Sequence, residues 1–179
     1  EGLSLVVGLA VVDALQALGV QGAGVKWPND ILLNGKKLAG ILLELSGDAT
    51  GPCQVVIGIG LNVHLARCDL IDQPWTSLVD AGYTIERNML AAQLLITLSE
   101  RLNCFATSGF AELQQAWQAQ HVYQGQQVRL HGIKEEITGI CHGVDASGAL
   151  LLEVAGQLRS FRGGEVSLRP LATTSGGNS

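Results

Sequence analysis

The chain has 179 residues, of which 47% are hydrophobic and 15% are charged, so it can bury the core of one domain or somewhat more. This composition excludes a disordered or fibrous protein. The net charge of −5, with no basic block, argues against non-specific nucleic-acid binding by this segment.

The first predicted element is a helix over residues 3–18. Apolar residues recur there at helical spacing, and Gly19 follows as a typical stop. Because Ser4, Asp13 and Gln16 interrupt the apolar run, we predict a buried amphipathic helix and not a membrane span. No signal peptide precedes it, and the start at Glu1 without a methionine leads us to expect further sequence upstream.

Short strands and two helices are predicted next. Asn34-Gly35 stands between two apolar runs, which is a strong hairpin signal. The strands are predicted at residues 25–27, 31–33, 37–45 and 54–61, and the helices at residues 86–105 and 110–120.

The pattern changes near residue 122, where short strands separated by glycine turns begin. They lie at residues 126–131, 135–144, 149–154, 157–161 and 165–168. Five short strands in fewer than fifty residues predict a small barrel. We therefore predict two units, residues 1–121 and 122–171, and a disordered tail at 172–179.

The cysteines and histidines form no recognisable site in the sequence. The four cysteines show no CxxC pairing, so we expect free thiols in a reducing cytoplasm and no zinc site. The four histidines are scattered over predicted loops and strands, and we interpret them as surface or structural residues. The patterns GxxxxGK(S/T), GxSxG and HExxH do not occur.

The predicted hairpin brings a carboxylate and an ammonium together. With a two-residue loop, Asp30 faces Ala39, and Lys37 lies diagonally from Asp30 on a face that also carries Ala39 and Ile41. A slip of one residue would move these side chains to the opposite face. The residues alone leave two alternatives open: a solvated hairpin end formed by Lys36 and Lys37, and a plain turn role for Asp30.

Glycines mark one face of the strand at residues 54–61. Gly58, Gly60 and the following Asn62 alternate on that face, while apolar residues occupy the other. A ligand can approach a backbone that carries no side chains, but a helix packed against the glycines is an equal alternative. The pair is not a dinucleotide fingerprint, because no third glycine follows and no helix opens there.

Three sequence blocks resemble the signatures of bacterial biotin–protein ligases. KWPND at 26–30 with KLAGILLE at 37–44 resembles the family's KWPND and KxAGIL(V/L)E blocks. VIGIGLNV at 56–63 is similar to VIGxGxNV, and FRGGEVSLR at 161–169 looks like the end of the family's small C-terminal domain. The three blocks occur in the right order over nearly the whole chain, which makes the resemblance specific.

The resemblance implies an α+β fold in which a mixed sheet packed with helices, an N-terminally truncated catalytic domain, precedes an SH3-like barrel. It implies ATP-dependent attachment of biotin, through biotinyl-5′-AMP, to a lysine of the biotin carboxyl carrier protein of acetyl-CoA carboxylase, with Mg²⁺ as a cofactor. A homodimer is compatible with it, no membrane partner is expected, and DNA would be a partner only through a further N-terminal domain. A lipoate or octanoate transferase and a non-enzymatic repressor module are the alternatives.

The resemblance also implies catalytic roles. Lys37 is expected to contact a biotin oxygen and the neighbouring phosphate, since a fixed ammonium neutralises two anions that must meet. Asp30 is expected either to hold Mg²⁺ with the phosphates or to help deprotonate the incoming lysine. Trp27 is expected to be structural.

Ligand-contact roles are implied as well. Gly40, Leu42 and Gly58 are expected to line the biotin pocket together with Lys37, and Asn29 and Asn62 to face the nucleotide. The family's GRGRxGR phosphate loop does not occur in this chain. No arginine is expected near the hairpin, so we expect half of a site and no ligation by the chain alone.

Overall fold

The computed structural model describes residues 2–47, 53–64, 73–132, 136–163 and 167–171. The first part of the chain forms α1 (Leu3–Ala17), β1 (Ala23–Lys26), β2 (Asp30–Leu33), β3 (Lys36–Gly47), β4 (Cys53–Leu61), α2 (Arg87–Ser108) and α3 (Gln114–Ala119). It is followed by β5 (Gln127–His131), β6 (Glu136–Val144), β7 (Leu150–Val154), β8 (Gln157–Phe161) and β9 (Ser167–Pro170). The predicted tail at 172–179 lies outside the described residues.

Helix α1 is buried on nearly every side. Every residue from Leu5 to Val12 is buried, because the first sheet and α2 both pack against the helix. The prediction of a buried helix is confirmed, but the predicted amphipathic character is wrong, since the helix has neighbours on more than one face. Gly8 lets the helix approach the sheet: a Cβ there would lie 3.5 Å from Ile41 and Val25. Gly19 ends the helix in the left-handed region at φ 84°, as predicted.

The first sheet has the order β1-β2-β3-β4, and all of its neighbouring strands are antiparallel. Parallel pairing in the described residues is limited to isolated bridges, Val25 with His121 and Lys37 with Trp75. The expected mixed sheet is therefore antiparallel here. None of the helices in the described residues combines the length and apolar character that crossing a membrane demands.

The hairpin between β2 and β3 contains an irregularity that changes the predicted register. Asp30 pairs with Gly40 and not with Ala39, because the register shifts by one residue beyond the pairing of Leu32 with Lys37. Leu38 is the extra residue, and both Leu38 and Ala39 are buried. The predicted placement of Ala39 and Ile41 beside Asp30 is therefore wrong. Both belong to the core, and Gly40 takes the place beside the carboxylate.

The second sheet has the order β8-β7-β6-β5-β9 and is also antiparallel. Its strands agree with the five predicted ones, although residues 165 and 166 of the last predicted strand lie outside the described part. The sheet is tied to the first part of the chain by hydrogen bonds. Trp27 Nε1 donates to the Gly148 carbonyl at 3.1 Å, and Gln114 Nε2 and Gln118 Nε2 donate to the Val144 carbonyl. This hydrogen bond fits the structural role expected for Trp27.

The third predicted helix, at 110–120, is shorter than expected. It begins only at Gln114, after a turn. Phe110 precedes this turn and is anchored in the core, where its ring lies against Gly2 at the start of α1. Tertiary packing of this aromatic side chain thus overrides the local helical tendency.

Candidate active site

A cavity of about 720 Å³ opens on the face of the first sheet that α1 does not cover. The segment between β1 and β2 forms one wall, β3 and β4 form the floor, and β9 of the second sheet closes one side. The residues that line it are Lys26, Trp27, Pro28, Asn29, Asp30, Lys37, Gly40, Ile41, Leu42, Gly58, Ile59, Gly60, Gln73, Ser167 and Arg169. Most of the predicted site residues therefore meet in one place.

Asp30 lies between two lysines at the wall of this cavity. Its Oδ2 accepts from Lys26 Nζ at 2.9 Å, and its Oδ1 accepts from Lys37 Nζ at 2.5 Å. The Lys26 side chain is 4% exposed and the Lys37 side chain 30% exposed. The predicted neighbourhood of Asp30 and Lys37 is confirmed, and it includes a third member that the hairpin geometry did not predict.

The ionisation of this cluster follows from burial and pairing. Burial would raise the pKa of Asp30, but the hydrogen bonds from Lys37 and Lys26 outweigh it and hold that pKa below its usual value. Burial lowers the pKa of Lys26, and the bond to Asp30 opposes this only in part. Asp30 is therefore a carboxylate that is stabilised as the anion and is a weak base.

The backbone of Lys37 is fixed from both sides. Its N–H donates to the Pro74 carbonyl and its carbonyl accepts from the Thr76 N–H, each at 2.9 Å. Lys36, one residue earlier, is exposed and does not line the cavity. The first alternative, a solvated hairpin end, thus applies to Lys36, whereas Lys37 is held as part of the cavity wall.

Asn29 and Asn62, the two predicted nucleotide ligands, differ in position. Asn29 lines the cavity, and its Nδ2 donates to the Ile41 carbonyl while its own carbonyl accepts from the Ile41 N–H, both at 2.9 Å. This pair holds the KWPND segment against β3. Asn62 is not among the lining residues, and its Nδ2 donates to the Thr76 carbonyl at 3.1 Å. The structure therefore brings Asn29 to the cluster but not Asn62.

The floor of the cavity is flat because glycines lie side by side on it. Gly40 pairs with Gly60 and Leu42 with Gly58 across β3 and β4. A Cβ at Gly58 would meet only the Leu42 carbonyl oxygen and Leu42 Cβ, at 3.5 and 3.7 Å, so no described helix packs there. Leu42 is 63% exposed beside this floor. Of the two alternatives for the glycines, open access to the backbone is the one that the described residues support.

Arg169 and Gln73 are site residues that the sequence did not predict. Arg169 lies on β9 and lines the cavity, where its Nη1 donates to Gln73 Oε1 at 2.5 Å. The expectation that no arginine approaches the hairpin is therefore wrong. The FRGGEVSLR block contained the signal, but the spacing along the chain does not reveal that β9 returns to the first sheet.

A second group of polar side chains lies away from the cavity. His121 is buried, stacks on Trp117 with ring centroids 4.6 Å apart, and has Nδ1 3.8 Å from Cys141 Sγ. Burial lowers the pKa of His121 to about 4 and raises the pKa of Cys141. Cys104 and Cys141 are free thiols, as expected, whereas Cys68 and the side chain of Cys53 lie outside the described part of the chain. This group fits the structural interpretation of the histidines.

The charges on the cavity wall determine what it can bind. Among its described lining residues, Lys26, Lys37 and Arg169 are cationic and Asp30 is the one anion. An excess of fixed positive charge beside a glycine floor suits a ligand with a carboxylate or phosphate and an apolar body. Such an arrangement also stabilises charge that develops when two anionic groups react.

Two family models match the chain. Residues 1–62 match the Biotin/lipoate A/B protein ligase family, and residues 123–169 match the Biotin protein ligase C terminal domain. The bifunctional ligase/repressor BirA of Salmonella typhimurium is 43% identical over 170 residues, which are 94% of this chain and 53% of that protein. The biotin–(acetyl-CoA-carboxylase) ligase of Mycobacterium tuberculosis is 37% identical over 92% of this chain and 61% of its own length. The chain thus spans about half the length of the curated relatives it matches.

Solved structures of a biotin protein ligase are also similar to this chain. The biotin protein ligase of Aquifex aeolicus in complex with biotin and ATP has a TM-score of 0.84 and 32% identity, over 94% of this chain and 71% of that one. The apo structure of that enzyme gives a TM-score of 0.83 at the same identity, and 75% of its chain is covered.

Proposed function

Because the chain belongs to the biotin protein ligase family, we propose that it supplies part of the active site of an ATP-dependent biotin ligase. In the first step an oxygen of the biotin carboxylate attacks the α-phosphorus of ATP, which yields biotinyl-5′-AMP and releases pyrophosphate. In the second step the amine of a lysine on biotin carboxyl carrier protein attacks the acyl carbon, and AMP leaves. The observation that carries the proposal is the cationic wall beside the open glycine floor.

Lys37 is the proposed catalytic residue. Its ammonium reaches the cavity from a backbone fixed by Pro74 and Thr76, so little reorganisation is needed when charge develops. It would donate to the biotin carboxyl oxygen and to the adjoining phosphate oxygen. Arg169 is proposed as a second cation for the phosphates, since its guanidinium presents several donors on the same cavity.

Gly40, Leu42 and Gly58 are proposed to line the biotin pocket. The two glycines leave the backbone open to the ligand, and Leu42 offers an exposed apolar side chain next to them. Asn29 and Asn62 stay proposed nucleotide contacts. The position of Asn29 in the cavity supports this role, and that of Asn62 does not.

Asp30 was expected to hold Mg²⁺ or to act as a base. Each of its oxygens accepts from an ammonium, so the carboxylate does not fit a metal ligand in this arrangement. Its lowered pKa also makes it a poor base. The geometry favours a third role, in which Asp30 orients Lys37. Mg²⁺ stays a proposed companion of the ATP phosphates, and no step here depends on it.

The other features expected from the resemblance are proposals too. We propose residues 1–121 as part of the catalytic domain and residues 122–171 as an SH3-like domain; the start of the C-terminal family match at residue 123 supports the division near residue 122. A cytoplasmic location, the carrier protein of acetyl-CoA carboxylase as substrate and a homodimer are proposed on the same basis. Contact with DNA would require a further N-terminal domain.

The match to the biotin protein ligase C-terminal domain favours a biotin ligase over a lipoate or octanoate transferase. The identity to a bifunctional ligase/repressor leaves repression as a second candidate function. A repressor role without catalysis would not need the ammonium of Lys37.

The proposal is tested in the full-length protein, meaning the complete product of the gene that encodes this chain. Lys37→Ala is expected to slow biotin-dependent release of pyrophosphate by about 10²–10³. Lys36→Ala is the matched control, because it removes the same charge from a side chain outside the cavity, and it should retain wild-type activity. Equal rates for the two variants would contradict the assignment of Lys37, and a wild-type protein that does not biotinylate the carrier would contradict the function.

A further inference from the structure

Lys26 has no role in the proposed chemistry, although it is the most deeply buried charge in the cluster. We propose that Lys26 is a positioning residue that neutralises Asp30 from the buried side, so that the charge of Lys37 stays available to the anionic substrate. The inference rests on the proposed function, since it requires the carboxylate of the ligand to approach Lys37.

The geometry assigns the two lysines to opposite sides of one carboxylate. Lys26 binds Oδ2 from within the fold, at 4% exposure, while Lys37 binds Oδ1 from the cavity side, at 30% exposure. Lys26 and Asp30 are also direct partners in the pairing of β1 with β2. Backbone pairing therefore keeps Lys26 beside Asp30 whatever Lys37 does.

Charge counting shows what Lys26 contributes. With Lys26 present, the three groups carry a net charge of +1, and this surplus resides on the side that faces the cavity. Without it, Asp30 and Lys37 would form a neutral pair. An approaching carboxylate would then meet no net charge from this pair, and Lys37 could turn to the ligand only by leaving a buried carboxylate unpaired, which is costly.

Keeping Lys26 charged costs free energy in the protein without ligand, and a purely structural role for Lys26 does not explain why that cost is tolerated. Burial lowers the pKa of Lys26, and the nearby charges of Arg169 and Lys37 add to that effect. Lys37 alone would already neutralise the charge of Asp30. A buried lysine in addition to Lys37 is therefore expected where the site must keep one positive charge available for a ligand.

The test compares biotin with biotinol, the analogue in which a neutral alcohol replaces the carboxylate. Both affinities are measured by calorimetry on the full-length protein and on its Lys26→Gln variant, which keeps a hydrogen-bond donor but removes the charge. Biotin should bind the variant roughly tenfold more weakly, while biotinol should change less than about twofold. Loss of structural support alone would weaken both ligands together, so only the change in their ratio reports the charge.

Two further variants control for effects other than the charge of Lys26. Lys36→Gln is the matched control and should leave both affinities unchanged. The double variant Lys26→Gln/Asp30→Asn removes both charges and leaves Lys37 as the surplus cation. Both affinities should fall, because the carboxylate that orients Lys37 is lost, but the preference for biotin over biotinol should return. If Lys26→Gln does not fold, as judged by thermal unfolding, the double variant carries the test alone, and a lost preference for biotin in it refutes the proposal.

The failure of this inference can be distinguished from failure of the proposed function. A wild-type protein that binds neither ligand overturns the function and this assignment with it. A wild-type protein that prefers biotin, and a Lys26→Gln variant with the same preference, overturn only the role of Lys26.

Discussion

Replacing Gly58 by valine should weaken biotin binding strongly without unfolding the protein. The new Cβ would lie 3.5 Å from the Leu42 carbonyl oxygen and 3.7 Å from Leu42 Cβ, which are ordinary van der Waals distances. Gly58 has no positive φ that a side chain would strain. Valine also favours a strand and loses less chain entropy than glycine, by about 0.5–1 kcal/mol. We therefore expect the free energy of unfolding to stay within about 1 kcal/mol of wild type.

The two methyl groups of the valine would instead occupy the cavity. Gly58 lies on the same open face as Gly40, and Gly40 is close to Lys37, since a Cβ built on it would lie 3.5 Å from Lys37 Nζ. The valine side chain at position 58 would therefore compete for space with a ligand bound at this lysine. Overpacking of a well-fitted site costs roughly 1–3 kcal/mol, which corresponds to a loss of about 5- to 150-fold in affinity.

Calorimetry with biotin and urea unfolding of the same full-length preparations would separate the two effects. Gln54→Val is the matched control, because Gln54 lies on the same strand and face but does not line the cavity. The reasoning is refuted if Gly58→Val binds biotin with wild-type affinity, or if it loses several kcal/mol of stability, since Gly58 would then face a packed partner.

Two further predictions concern the buried histidine and the chain by itself. The pKa of His121, about 4, lies below its unfolded value of about 6.5, so the unfolded chain takes up the proton first as the pH falls. Neutral His121 contributes stability that is fully present above about pH 6.5 and is lost as the pH falls towards 4. The free energy of unfolding should therefore decrease by about 2 kcal/mol between pH 7 and pH 5. Urea unfolding at both pH values should show this loss in the wild type and much less of it in His121→Gln; equal losses would contradict the prediction. The 179-residue chain alone should not biotinylate the carrier, because Lys37 and Arg169 lack the oriented amides and arginines of a phosphate loop, and a positive streptavidin blot would prove this wrong.

The hairpin shows which part of a site can be predicted from sequence. Asn34-Gly35 and the apolar runs beside it were sufficient to place Lys37 near Asp30, because a turn between two strands is a local feature. The register beyond Leu32 was not predictable in the same way. Leu38 is as apolar as its neighbours, and the shift at this residue is set by burial of both Leu38 and Ala39 against the core. A pattern of alternating residues does not encode such a shift.

Long-range contacts limit how much of the rest of the cavity can be predicted from the sequence. Arg169 meets Gln73 across 96 positions of sequence, and Lys26 reaches Asp30 only because the short turn between them pairs β1 with β2. The residue types alone did not predict either of these two pairs. The alternation of the glycines of β4 was sufficient to predict a strand face without side chains, but it left ligand access and a packed helix as equal alternatives, and only the described structure favours access.

The KWPND segment therefore performs two tasks that its sequence presents as one motif. Lys26 and Asp30 provide charges to the cavity, whereas Trp27 between them donates a hydrogen bond to Gly148 of the second sheet. Because Trp27 is almost fully buried, this bond holds the second sheet against the wall that carries the charges. The same second sheet contributes Arg169 to this cavity. A change at Trp27 would thus displace a cation that is distant in sequence, which is a reason for a structural tryptophan to lie inside a block of site residues.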